Sequence, residues 1–83
     1  MYRLEISHVA HRQIADLSPR TARRVNEAIA QLASEPRPPG AKKLMGIEGY
    51  RVRVGDYRVL YVVDDKSCLI TVYRVKHRRE AYR

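Results

Sequence analysis

One tight turn constrains what this chain can fold into more than any other part of the sequence. Gly55-Asp56 is a two-residue turn flanked on both sides by alternating polar and apolar residues, which is typical of a β-hairpin. The turn sets Arg53 opposite Arg58 and Val54 opposite Tyr57. Because side chains alternate faces along a strand, the hairpin has one arginine face and one apolar face. The arginine face holds Arg51, Arg53 and Arg58, and the apolar face holds Tyr50, Val52, Val54, Val59 and Tyr61.

Two arginines that face each other across a turn need a partner of opposite charge. Like charges directly opposite on a strand pair destabilise a sheet by roughly 0.2–1 kcal/mol. We therefore interpret the cluster as a binding site for an anion. The chain carries 17 Lys and Arg against 9 Asp and Glu, a formal charge of +8 and a pI near 10.2. This excess favours a polyanionic partner, most often nucleic acid, over a basic surface that only keeps the protein soluble.

Length and cysteine usage limit the class of protein. Eighty-three residues make one small domain with one modest core, so we expect residues 1–83 to form a single unit. Cys68 is the only cysteine, which excludes a disulfide framework and favours a reducing compartment. We expect its side chain to be small, apolar and buried. No apolar run reaches the ~20 residues of a membrane span, and no signal-peptide pattern precedes residue 10. The sequence thus predicts a cytoplasmic protein without a membrane partner.

The apolar spacing predicts one strand, two helices and three further strands. Ser7 caps the first helix, and Ser18-Pro19 starts a second helix that ends near Ser34, before Pro36. The strands fall at about 2–6, 49–54, 57–64 and 68–75. The order β-α-α-β-β-β predicts an α+β fold in which a helical hairpin covers one face of a small, mostly antiparallel four-stranded sheet. The arginine face is then the open one.

The open face has the chemistry of an RNA-binding surface. Guanidinium groups bind phosphate oxygens through paired hydrogen bonds, and arginine or tyrosine planes stack on unpaired bases. Single-stranded RNA suits such a shallow face, because its bases can be splayed out. Tyr73 shares this face by strand parity, and the tail adds His77, Arg78, Arg79 and Tyr82. The sequence contains no metal-ligand cluster, no glycine-rich phosphate loop and no Ser/His/Asp arrangement, so we expect neither a metal nor a cofactor.

Two segments in the second half of the chain are characteristic of one family. They are Gly55-Asp56-Tyr57-Arg58-Val59-Leu60-Tyr61 and the ending His77-Arg78-Arg79-Glu80-Ala81-Tyr82-Arg83. The run from Lys43-Leu44 through Gly46 to Tyr50-Arg51-Val52-Arg53 extends the pattern. Together with the order of strands and helices, these residues resemble the RelE/ParE toxin superfamily of type II toxin–antitoxin systems. The resemblance covers almost the whole chain and implies a RelE-like fold.

The RelE branch of this superfamily implies an endoribonuclease that cleaves mRNA in the ribosomal A site and is silenced by a cognate antitoxin. In that chemistry the 2′-hydroxyl of the RNA attacks the adjacent phosphate and no metal is needed. The family's site maps here onto Arg51, Arg53, Arg58, Arg78 and Tyr82. With the rest of the open face and the tail, the predicted catalytic residues are Arg58, Arg78, Tyr82 and His77, and the predicted RNA-binding residues are Arg51, Arg53, Arg79, Tyr73 and Lys43.

Two strand positions depart from the family pattern. Lysines often occupy the positions of Arg51 and Arg53 in the family. Arginine stays protonated in proteins, so neither residue serves easily as a general base, although both can neutralise a phosphate. The proton transfer then falls to Tyr82 or to His77, and the sequence leaves that choice open.

Two other functions remain open at this stage. One is a ParE-like toxin that inhibits DNA gyrase through protein contacts, and the other is an inactive nucleic-acid-binding module. The full set of basic residues together with the tail tyrosine favours cleavage. The expected partners are an acidic antitoxin that folds on binding, the ribosome and mRNA.

Overall fold

A computed structural model describes residues 1–81 and the side chains of residues 1–79. The element order is β1 (Arg3–Ile6), α1 (His8–Ala15), α2 (Pro19–Leu32), β2 (Lys42–Lys43), β3 (Tyr50–Val54), β4 (Tyr57–Asp64), β5 (Leu69–His77) and α3 (Arg78–Ala81). The helices α1 and α2 pack against one face of a five-stranded sheet. The predicted α+β fold, with a helical hairpin on one side of the sheet, is confirmed.

Serine caps set the start of both long helices. Ser7 Oγ accepts a hydrogen bond from Ala10 N at 3.1 Å, and Ser18 Oγ accepts one from Thr21 N at 3.3 Å. Pro19 follows as the first residue of α2, where its missing N–H leaves no hydrogen bond unmade. Both predicted caps are therefore confirmed. No helix within residues 1–81 is long and apolar enough to cross a membrane.

The core lies between the two helices and one face of the sheet. The helices contribute the buried residues Ala10, Ile14, Val25, Ile29 and Leu32, and the sheet contributes Val54, Val59, Tyr61, Ile70, Val72 and Val75. Removal of these apolar groups from water is the main term that holds the layers together. Tyr61 brings a hydroxyl into this core, and the hydroxyl donates to Pro36 O at 2.7 Å. Burial raises the pKa of Tyr61 to about 12, so the phenol stays neutral and keeps donating.

The sheet is mixed and has one strand more than the sequence predicts. Its order is β1-β5-β4-β3-β2, with β1 parallel to β5 and all other neighbours antiparallel. The additional strand is β2, in which Lys42 pairs with Arg51 and Lys43 pairs with Tyr50. Two exposed lysines show no alternation of apolar residues, so nothing in the local sequence marks them as a strand.

The β3–β4 hairpin has the predicted register. Arg53 lies opposite Arg58, and Val54 lies opposite Tyr57. Gly55 makes the turn with φ +59°, in the left-handed region that favours glycine. Since Val54 is buried in the helix-covered core, the arginines of the hairpin occupy the other face of the sheet.

The last strand, β5, departs from strict alternation at Tyr73. Leu60 pairs with Arg74 while the next residue, Tyr61, pairs with Val72, which makes Tyr73 the extra residue of a β-bulge. Residues of β5 beyond the bulge therefore face the opposite side from the one that simple parity predicts.

Arg37 ties the proline-rich connector between α2 and β2 to the far end of the sheet. Its Nη2 donates to Asp65 Oδ2 at 2.9 Å and its Nε donates to Tyr50 Oη at 3.0 Å. Tyr2 donates its hydroxyl to Asp65 Oδ1 at 2.6 Å. The hydrogen bonds from Arg37 and Tyr2 hold the pKa of Asp65 below its ordinary value, so the carboxylate stays charged and paired.

Cys68 does not join the core, and the expectation of a buried thiol is wrong. It is exposed in the turn that precedes β5, with φ +50°. Its side chain lies on an exposed turn that neither helix covers, whatever its flanking residues prefer.

Gly49, the residue before β3, packs closely against the backbone of β4. A Cβ at Gly49, where φ is +122°, would meet Tyr61 O at 2.7 Å, whereas at Gly46, where φ is +78°, it would meet nothing within 4 Å. We expect Gly49→Ala to lower the free energy of unfolding by about 3 kcal/mol, because backbone strain and steric overlap add. Gly46→Ala is the matched control and costs about 1 kcal/mol from the backbone alone. Urea unfolding measures both, and equal losses would contradict the packing described.

Candidate nucleic-acid interface

Six basic side chains lie close together on the face of the sheet that the helices leave open. Residues directly opposite on neighbouring strands place their side chains on the same face. One row across the sheet consists of Lys42, Arg51, Leu60 and Arg74, and the next row consists of Arg53, Arg58 and Lys76. We call this surface the basic face and define it by Lys42, Arg51, Arg53, Arg58, Arg74 and Lys76.

The basic face concentrates positive charge in a small area. With neighbouring strands ~4.8 Å apart and alternate residues ~6.7 Å apart along a strand, the Cα atoms of these six residues lie within a patch of roughly 15 Å by 7 Å. Arg53 Nε donates to Gly55 O at 3.1 Å, which holds this guanidinium at the tip of the hairpin. Arg51, Arg74 and Lys76 form no salt bridge with any of the side chains that the structure describes, which are those of residues 1–79. Such a patch attracts a polyanion.

A cleft of about 170 Å³ opens in the basic face. Three cations line it, from Arg51, Arg58 and Lys76, together with the apolar side chains of Leu44 and Leu60. The leucines offer a surface on which a ribose or a base can rest, while the cations can bind phosphate oxygens around it. The cleft therefore combines the two kinds of contact that a nucleotide needs.

His77, the last residue of β5, lies on the other side of the sheet. It pairs with Tyr57, whose side chain packs against the core. The two rings meet edge to face with their centroids 5.1 Å apart. Gln13 of α1 and Asp16, the residue that caps its C-terminus, line the same cavity as His77. The structure thus does not bring His77 to the cleft, although the sequence places it among the catalytic candidates.

The tail begins against the tip of the β3–β4 hairpin. Arg78 N donates to Asp56 O at 2.7 Å, which bonds the first residue of α3 to the hairpin turn. Arg78 and Arg79 both have exposed side chains. Their segment therefore starts next to the end of the sheet that carries Arg53. Tyr82, the remaining predicted residue of the tail, lies outside the described residues.

Of the five predicted RNA-binding residues, only Arg51 lines the cleft. Lys43 pairs with Tyr50 of the apolar face, and it is the neighbouring Lys42 that lies opposite Arg51 on the basic face. Tyr73 is half-buried at the bulge, where its carbonyl oxygen accepts a hydrogen bond from Ser7 Oγ at 3.2 Å.

Three residues of the basic face are not predicted from the sequence, namely Lys42, Arg74 and Lys76. Lys42 lies on the unpredicted strand β2, and the other two lie beyond the bulge in β5. Strict alternation from the buried positions 70 and 72 puts residues 74 and 76 on the covered face, and the bulge reverses this. A signal for the bulge is present, because the buried apolar residues of β5 fall at 70, 72 and 75. A spacing of three breaks the period of two that a regular strand requires.

The opposite end of the sheet is acidic. A cavity of about 680 Å³ near the turn between β4 and β5 is lined in part by Glu48, Asp64 and Asp65. Hydrogen bonds from Ser67 hold the pKa of Asp64 below its ordinary value, which keeps this carboxylate ionised in the turn. Among the described side chains, no three His, Cys, Asp or Glu residues group in a way that could hold a metal ion. Lys66 also lines this cavity and Arg37 pairs with Asp65, so this end attracts a phosphate less than the basic face does.

These features define a class of protein: a two-layer α+β domain whose sheet exposes a dense basic face. The family model of the ParE toxin of the type II toxin–antitoxin system parDE matches residues 4–82. Because the match spans nearly the whole chain, the protein belongs to this family, within the RelE/ParE superfamily. It is a toxin of a type II toxin–antitoxin system, and the resemblance found in the sequence is confirmed.

Relatives and a solved structure agree with this assignment. The chain is 33% identical over 84 residues to Toxin RelG of Mycobacterium tuberculosis, covering 99% of this chain and 97% of the relative. It is 34% identical over 86 residues to Putative toxin RelE1 of Methanocaldococcus jannaschii, covering 99% and 96%. Its fold matches a chain of the toxin–antitoxin complex RelBE2 from Mycobacterium tuberculosis with a TM-score of 0.82 and 30% identity, covering 92% of this chain and 96% of that one. The predicted RelE-like fold is confirmed.

The basic face predicts a strong salt dependence of RNA binding. Each phosphate contact contributes about 0.7 to the slope of log affinity against log salt concentration for a single strand. We expect Arg51→Gln and Lys76→Gln each to weaken binding of a short single-stranded RNA and to reduce the slope by about that amount. Lys66→Gln, in the exposed turn at the acidic end, is the matched control and leaves the slope unchanged. Fluorescence anisotropy at several KCl concentrations measures the slopes, and the same slope in all four proteins would contradict the assignment.

Proposed function

We propose that this toxin is an endoribonuclease that cleaves mRNA in the ribosomal A site and thereby stops translation in the cytoplasm. The observation that carries the proposal is the cleft in the basic face, where Arg51, Arg58 and Lys76 surround an apolar floor. The names of the two relatives, RelG and RelE1, point to the same branch of the superfamily. The cleft has room for the phosphate and ribose of one nucleotide but not for a double helix.

The proposed reaction uses the RNA's own 2′-hydroxyl as nucleophile. The 2′ oxygen forms a bond to the adjacent phosphorus while the bond from phosphorus to the 5′ oxygen of the next nucleotide breaks. The products are a 2′,3′-cyclic phosphate and a 5′-hydroxyl. One proton leaves the 2′-hydroxyl and one is delivered to the 5′ oxygen, so no net proton is consumed. The protein must orient the strand, stabilise the added charge on the phosphate and handle these two protons.

Arginine side chains take the charge-stabilising roles. Arg58 and Arg51 lie in the cleft and are proposed to bind the two non-bridging oxygens of the scissile phosphate. Arg53, held at the hairpin tip, contacts the next phosphate along the strand. Arg78 and Arg79 of the tail add positive charge from α3. Fixed cations of this kind supply the stabilisation that a metal ion supplies in other nucleases, and we propose a reaction without metal.

The proton transfers belong to residues other than arginine, which does not give up its proton in proteins. We propose Tyr82 as the base that takes the proton from the 2′-hydroxyl. Lys76 lies in the cleft beside Arg58 and is proposed to protonate the 5′ oxygen as it leaves. His77 is not assigned a proton-transfer role, because it faces Tyr57 and α1 on the far side of the sheet.

A cognate antitoxin is the proposed protein partner. The related RelBE2 structure is a toxin–antitoxin complex. A formal charge of +8 on this chain favours a segment rich in Asp and Glu, with apolar residues that become ordered on binding. Such a segment silences the toxin by covering the basic face or by displacing the tail.

A second candidate function is inhibition of DNA gyrase through protein contacts. The observation in its favour is that the matching family model is named for ParE. It leaves the cleft and its three cations without a use, and for that reason we rank it below RNA cleavage.

Mapping of RNA 5′ ends tests the proposal. We expect brief expression of the toxin to create new 5′-hydroxyl ends on a translated mRNA and none on an untranslated copy of the same message. Arg58→Ala and Tyr82→Phe are expected to lower the yield of these ends by about 100-fold or more, since each removes a group that acts in the transition state. Arg23→Ala, on the exposed surface of α2, is the matched control and retains cleavage.

Other outcomes of this experiment point to other functions. DNA damage with intact mRNA would identify a gyrase inhibitor. RNA binding without new ends would leave a passive nucleic-acid-binding module. Cleavage by the purified toxin on programmed ribosomes is expected to persist in excess EDTA, and its loss there would overturn the metal-free mechanism.

A further inference from the structure

The side chain of His77 makes a hydrogen bond that the proposed cleavage does not use. Its Nδ1 accepts from Arg79 N at 3.2 Å. Because β5 ends at His77 and α3 begins at Arg78, His77 stands at the N-cap position of α3. It satisfies the N–H of the second helical residue, which the helix itself leaves unbonded. Serine, asparagine or aspartate usually provides this bond.

The position of the His77 ring is held by the hairpin. The ring packs edge to face on Tyr57, at an interplanar angle of 87°. One residue further on, Arg78 N donates to Asp56 O in the hairpin turn at 2.7 Å. The first two amide groups of α3 are therefore both bonded, one to the turn and one to His77. Only the second bond depends on a side chain that titrates.

We propose that His77 is a positioning residue whose neutral imidazole caps α3 and thereby holds the start of the tail, with Arg78, against the hairpin. The consequence for activity rests on the proposed RNA cleavage, whereas the cap itself does not. A protonated imidazole carries an N–H on both nitrogens and cannot accept a hydrogen bond from Arg79. Protonation of the His77 ring therefore releases the cap.

Several charged or titratable groups surround His77, and its own contribution must be separated from theirs. They are Asp16 at the C-terminus of α1, Asp56 and Tyr57 at the hairpin, and Arg78 and Arg79 on α3. The two other histidines, His8 and His11, lie on α1. A substitution of His77 leaves both in place, so any pH effect that the substitution removes is due to His77.

Two substitutions separate the cap from the ring packing. His77→Asn keeps a hydrogen-bond acceptor and loses the ring, whereas His77→Phe keeps the edge-to-face contact with Tyr57 and loses the acceptor. Amide hydrogen exchange of Arg79 in the full chain, corrected for its intrinsic rate, is the direct readout. We expect wild-type protection in His77→Asn and roughly fivefold less protection in His77→Phe. When the ring is protonated, protection falls in the wild type, whereas it persists in His77→Asn.

Cleavage of mRNA on ribosomes is a separate readout. We expect His77→Asn to retain cleavage and His77→Phe to lose roughly fivefold or more of it, in step with the loss of the cap. Wild-type protection of Arg79 in His77→Phe would overturn the cap. Loss of cleavage in His77→Asn with Arg79 still protected would make His77 a proton-transfer group and overturn the positioning role. If the wild type does not cleave mRNA, the proposed function fails, while the exchange data still decide the cap.

Discussion

The register of the β3–β4 hairpin is the constraint on which the rest of the molecule depends. Gly55 closes a two-residue turn in a left-handed conformation and so decides which residues of the two strands share a face. A slip of one residue would turn Arg58 towards the core and expose Val59. Burial of an unpaired guanidinium costs far more than the repulsion between Arg53 and Arg58 across the turn. The apolar core therefore holds the arginines together although their charges oppose it.

The bulge at Tyr73 gives the end of β5 two separate uses. Beyond the bulge, Lys76 turns to the basic face beside Arg58, and His77 turns to α1 and accepts the amide of Arg79. Without the extra residue these two side chains would exchange faces. One irregularity in the strand thus places a cation in the cleft and a cap under the tail. Val72 and Val75, on the two sides of the bulge, are both buried in the core. Their burial therefore fixes which face of the sheet Lys76 and His77 occupy.

Features that depend on neighbouring residues were predicted well, and features that depend on distant ones were not. The faces of Arg51, Arg53 and Arg58 follow from a turn and two short alternating strands, and the serine caps of both helices are equally local. The basic-face position of Lys42 is different, because it exists only through pairing with a strand several residues away. The side taken by Lys76 depends on the pairing of β5 with β4, and parity counting along one strand does not contain it.

The placement of RNA on the basic face is tested most directly by chemical-shift mapping. The measurement uses isotope-labelled toxin and a short single-stranded RNA with 2′-deoxy substitutions, which bind but cannot be cleaved. The expected result is that backbone and side-chain signals of Arg51, Arg58 and Lys76 shift with added RNA, while those of α2 at Arg20 and Arg23 do not. Shifts concentrated on α1 and α2, with the β3–β5 signals unchanged, would contradict the assignment of the basic face as the site.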